Sequence, residues 1–166
     1  MRHLATMVAA ALIVAAGSGC GQKKLTECNA LVGVINAGMV SLEKAPKNEK
    51  DPTGIADLRA MAEGMDRIAT EAAAVQLTVP ELKKLRDDYQ KMAKEIGRAE
   101  RELATAAEER AAARNAPNGD GPSEAVLKAA EDRYTARRNA ADSAIEAAVK
   151  QEDPLVDQIN KFCQAP

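Results

Sequence analysis

The chain has 166 residues, enough for one domain and too few for two of ordinary size. Alanine is abundant, Trp is absent and the aromatics are Tyr89, Tyr134 and Phe162, so thin helix-to-helix seams suit it better than a deep globular core. With 23 basic against 25 acidic residues and a net charge of −2, it carries no electrostatic footprint for DNA or RNA, and no nucleic-acid partner is expected.

Arg2 and His3 precede an apolar run, Leu4 to Ala16, which gives way to Gly17-Ser18-Gly19-Cys20. A basic start, a short apolar stretch and small residues at a cut site are the parts of a secretory signal. The run is about thirteen residues, short of the ~20 that span a bilayer as a mature helix. Its end resembles the bacterial lipobox, in which small residues precede a cysteine that is acylated and becomes the new N-terminus. Gly17 stands where that motif usually carries an aliphatic residue. The resemblance implies a signal peptide over residues 1–19, a lipid anchor on Cys20, and a place among the small all-helical bacterial lipoproteins. Gly21 after the cysteine implies the outer membrane, with the domain facing the periplasm. Ala15-Ala16-Gly17 also fits ordinary cleavage, which would release a soluble protein. Cysteine parity separates the two: without acylation, Cys20, Cys28 and Cys163 leave one thiol over, whereas an acylated Cys20 leaves an even pair.

Residues 20–25 are read as the lipidated terminus and a short linker, and 26–166 as a helical domain. Four stretches then carry apolar residues at three- and four-residue spacing. The first runs through Cys28, Leu31, Val32, Ile35, Met39 and Leu42; the second, opened by Asp51-Pro52-Thr53-Gly54, runs from Ile55 to Val75. The third opens on Thr78-Val79-Pro80-Glu81, with Thr78 expected as the N-cap, Pro80 in the first turn and Glu81 closing a capping box. Its near-heptad stripe, Leu82, Leu85, Tyr89, Met92, Ile96, Ala99 and Leu103, has coiled-coil character and leads to a turn at 115–122. Ser123 is expected to cap the fourth, and Pro154 to break or kink it before a last segment, Leu155 to Cys163.

The fold class expected is therefore all-α, an antiparallel up-down-up-down four-helix bundle. Folding the first hairpin about its loop sets Leu42 against Leu58 and Val32 against Ile68. Folding the second sets Leu103 against Tyr134, Tyr89 against Ala148 and Leu82 against Leu155. At 1.5 Å per residue the third helix reaches about 54 Å and the first two about 30 Å, so the hairpin around residues 100–135 should protrude. Arg110 and Arg137 fall there at positions where apolar residues would be expected.

No site for chemistry stands out. His3 is the single histidine and leaves with the signal, and no Gly-rich phosphate loop, CxxC or nucleophile elbow is present. The carboxylates alternate with Lys and Arg on polar faces, as surface ion pairs do. No enzyme activity, cofactor or metal is expected. Met39, Met61, Met65 and Met92 suit Cu(I) by their sulfur, and equally suit a flexible core filling. Cys28 and Cys163 lie on the apolar stripes of the first and last helices and should form a disulfide in an oxidising compartment. The function expected is a membrane-tethered interaction or structural module that meets a protein partner, or itself, through the 100–135 hairpin. The alternative is a periplasmic carrier or chaperone holding an apolar ligand or unfolded chain between its helices.

Overall fold

The computed structural model describes residues 19–45, 51, 53–115 and 123–164, and these form four helices with no strand among them. They are α1 (Gly19–Glu43), α2 (Ile55–Ala74), α3 (Pro80–Arg114) and α4 (Glu124–Gln164). The chain is all-α, as the three- and four-residue periodicity requires.

Each boundary has a local cause. Gly54 turns the chain into α2 with a left-handed φ of 69°, a conformation only glycine adopts without cost. Asp51 caps the same turn: its carboxylate accepts the Thr53 and Ala56 N–H groups, both at 2.9 Å. Those bonds, with the Thr53 hydroxyl foremost, hold its carboxyl below the usual aspartate range. Ser123 caps α4 as expected, its hydroxyl oxygen accepting the Val126 N–H at 3.4 Å.

Two expectations about helix ends need correction. Residues 20–25, read as the lipidated terminus and a short linker, are not extended, because α1 is already helical from Gly19. Nor does Pro154 break α4, which continues through it to Gln164. The proline leaves the Lys150 carbonyl without its helical donor, and Leu155 and Ile159 beyond it are buried in the core.

Helix α3 is the hub, packing along both α2 and α4. Helix α1 packs mainly on α2 and meets α3 and α4 only briefly, while the α2 and α4 backbones stay apart, with no Cα atoms within 8 Å of each other among the described residues. Tyr89, Leu31, Ile68 and Leu82 are wholly enclosed and anchor the main core. Met65 and Met92 belong to it, and Met39 and Met61 pack against it. A smaller cluster around Ala99, Leu103 and Ala141 takes in Leu58, Tyr134 and Ile145. The expected companions Leu103 and Tyr134 share that cluster; Tyr89, Ala148, Leu82 and Leu155 share the main one.

The α1–α2 register differs from the expected one. Ile68 seats on Gly38, not beside Val32, and Leu42 seats on Gly64, not opposite Leu58. Both contacts are displaced by six residues, about 9 Å along the axis. A Cβ on Gly38 would lie inside the envelope of Ile68 Cγ1, and one on Gly64 would overlap Leu42. Each large side chain drops into a gap left by a glycine on the facing helix, and two such gaps outweigh a register that sets large residues against each other. Gly97 does the same between α3 and α2: its Cβ would come within 3.1 Å of the Ala62 carbonyl oxygen.

Candidate functional site

Three helix ends and one loop meet where α1 begins. The sulfurs of Cys28 on α1 and Cys163 on α4 are bonded, with Cα atoms 5.7 Å apart and a sequence separation of 135. Cys28 is 1% exposed, so the bond is sealed inside the core on its α1 side. One turn earlier, Lys24 places its ammonium 4.6 Å from the centre of the Phe162 ring, a second α1–α4 contact.

Glu27 supplies the third contact, and sequence reasoning missed it. It is the buried charged residue among those described, 7% exposed. One carboxylate oxygen accepts the N–H groups of Thr78 and Val79 at 2.8 and 3.0 Å; the other accepts the Thr78 hydroxyl at 2.5 Å. The N-cap of α3 is therefore Val79, with no side-chain cap of its own, and the Thr78–Glu81 capping box does not form. A carboxylate from α1 does that work from outside the helix, where free N–H groups and the positive end of the helix dipole favour an anion. The Thr78 hydroxyl first, then the Val79 N–H, hold its carboxyl below the ordinary glutamate range, and nearby Lys23 adds to the effect. The signal in the sequence was a charged residue on the inward stripe, one position before Cys28 and one turn before Leu31.

No known protein family, curated protein or solved structure matches this chain.

Cys20 lies in the first turn of α1, and residues 1–18, most of the expected signal segment, lie outside the described residues. By length and composition, Gly21–Glu43 is also apolar enough to cross a membrane. In this fold the helix instead commits Glu27, Cys28, Leu31 and Ile35 to the domain's interior.

At the other end, the seam between α3 and α4 is closed by polar groups. Arg110 lies 3.7 Å over the Tyr134 ring and also reaches Glu131 at 3.4 Å. Arg114 joins Glu131 at 3.0 Å, and Arg137 pairs with Glu109 at 2.9 Å. The two arginines that looked misplaced on an apolar seam each find a partner across it. Arg59 of α2 holds Glu108 through both carboxylate oxygens, at 2.7 and 2.8 Å. Helix α2 thus lies against α3 as far as Glu108. The turn at 116–122 lies outside the described residues. Near the start of α4, Val126 is 48% exposed, one of two large apolar side chains so open to solvent among the described residues.

The remaining titratable groups do not converge. Burial pushes Glu100 and Glu152 above the ordinary glutamate range, helped by Asp142 and Asp153 respectively. Burial, then the charge of Glu152, raises Tyr89, whose hydroxyl has no hydrogen-bond partner. No group of three metal-ligating side chains occurs among the described residues. The surface hollows, one lined by Asp87, Lys91 and Arg98 and another by Arg101, Glu102 and Arg137, are open and charged.

Proposed function

We propose that this chain is a membrane-tethered helical module of the bacterial cell envelope. Residues 1–19 are removed, Cys20 carries the lipid, and the four helices stand in the periplasm, most simply on the outer membrane. The observation that carries this proposal is the Cys28–Cys163 bond. It uses two of three cysteines and leaves Cys20, the one preceded by small residues and an apolar run, as the unpaired sulfur. Such a bond also belongs to an oxidising compartment.

We further propose an up-down-up-down bundle whose α3–α4 end extends past α2 as the partner surface. The direction of pairing supports the topology: Arg59 meets Glu108 while Asp66 meets Arg101, so residue numbers rise on α2 as they fall on α3. Glu109 to Arg137 and Arg114 to Glu131 run the same way between α3 and α4. Val126 offers an apolar contact point at that end.

Replacing Cys20 with serine tests the anchor. Labelled fatty acid should no longer be incorporated, and the protein should leave the membrane fraction or remain as precursor. Continued incorporation would overturn the proposal. Replacing residues 111–130 by a short turn tests the partner surface. The variant should stay folded and oxidised and lose self-association or partner binding; binding unchanged by the deletion would show the tip to be a spacer.

A further inference from the structure

We infer that the base of the domain is a docking face for an anionic lipid surface, so that the anchor holds the module in a fixed pose and not on a loose tether. This rests on the proposal that Cys20 carries the lipid.

The first observation is the absence of slack. Helix α1 starts at Gly19, so Cys20 and Cys28 belong to one helix and are separated by about 12 Å at 1.5 Å per residue. An extended segment of the same length would reach roughly twice as far. Anything beside the first two turns of α1 is thereby brought to headgroup height.

The second is what lies beside them. The Cys28–Cys163 bond and the Lys24–Phe162 contact bring in the last turn of α4, and Glu27 brings in the start of α3. These segments carry Lys23 and Lys24 on α1, Lys83 on α3 and Lys161 on α4. Against them stand Glu71 at the end of α2, Glu81 on α3, and Glu27, whose carboxylate is held by three hydrogen bonds with Lys23 nearby. The first turn of α1 contains no acid at all. A chain with net charge −2 thus presents a basic end, and it does so at the end that bears the proposed lipid. Phe162, half-buried at the same level, adds an aromatic ring of the kind that settles at a membrane interface.

Anionic lipid is the occupant this chemistry fits. Lysines within a Debye length of such a surface each strengthen binding about fivefold. Removing Lys23 and Lys161 together should therefore lower the ratio of docked to undocked protein roughly 25-fold.

The chain contains no tryptophan, so a single introduced one is a clean reporter. Gln164→Trp marks the base at an exposed position, and Val126→Trp marks the far end of the same helix. The lipidated full-length variants are reconstituted in vesicles of equal parts phosphatidylcholine and phosphatidylglycerol, brominated near the headgroup. Flotation is measured alongside fluorescence quenching. Strong quenching of Gln164→Trp, weak quenching of Val126→Trp, and loss of the difference in pure phosphatidylcholine or with Lys23→Gln/Lys161→Gln support docking. Protein that floats with both reporters equally quenched, or with quenching indifferent to phosphatidylglycerol, overturns docking and leaves the anchor standing. Protein that does not float overturns the anchor and this inference with it.

Discussion

Reducing the Cys28–Cys163 bond should lower stability more than any single substitution in the chain. The bond closes a loop of 135 residues in sequence separation, for which the chain-entropy relation gives about 5 kcal/mol at 25 °C. Few contacts duplicate it, since α1 meets α4 only briefly away from the sulfurs. For a domain of this size, each kcal/mol moves the melting temperature by about 2–4 °C, so the expected fall is about 15 °C. The assay is thermal unfolding followed by circular dichroism, with and without a dithiol reductant. Reduction keeps both sulfur atoms in place and so isolates the cross-link from the cavity that a Cys28→Ala change would leave. Hydrogen exchange should show the loss first in α1, the helix with least other packing. A Cys28→Ala/Cys163→Ala variant should melt low and ignore the reductant. A fall of less than about 3 °C on reduction, equivalent to about 1 kcal/mol, would refute the idea that this bond holds α1 to the rest.

Gly38→Ala should cost about 1–3 kcal/mol by forcing a methyl group into Ile68, whereas Gly33→Ala, with open space around it, should gain about 0.5–1 kcal/mol; urea denaturation measures both. Because the folded-state pKa of Glu27 lies below its ordinary 4.5, its contribution is complete above that value and is lost as pH falls through the lowered one. The gap in denaturation midpoint between wild type and Glu27→Gln should accordingly be constant at neutral pH and close in acid; a constant gap throughout would contradict the remote cap. Arg110→Met, which removes the cation from Tyr134 and Glu131, should destabilise by about 1 kcal/mol, measured by the same denaturation.

Where structure depended on neighbours along the chain, the sequence was readable. Apolar residues three and four apart placed all four helices, Pro80 marked the first turn of α3, and Ser123 marked the start of α4. Cys28 and Cys163 could be paired because each lay on an apolar stripe and no other cysteine competed once Cys20 was set aside. What escaped notice was set by contacts across the fold. Thr78 obeys every local rule for an N-cap, yet a carboxylate 51 residues away reaches its N–H and hydroxyl. Gly38 and Gly64 add nothing to an apolar stripe, yet they are the seats on which Ile68 and Leu42 rest. Pro154 signals a break by every local rule, yet α4 continues through it, with Leu155 and Ile159 buried beyond. Arg110 and Arg137 looked like defects in a seam because their partners, Tyr134, Glu131 and Glu109, lie on the opposite helix or reach across it.

The most direct test of the account is the intact mass of the protein extracted from membranes without reductant. The account predicts a chain that begins at Cys20, carries acyl groups there, and has the mass of one internal disulfide. A chain retaining the residues before Cys20, or beginning at Ser18 with no acyl group, would contradict it.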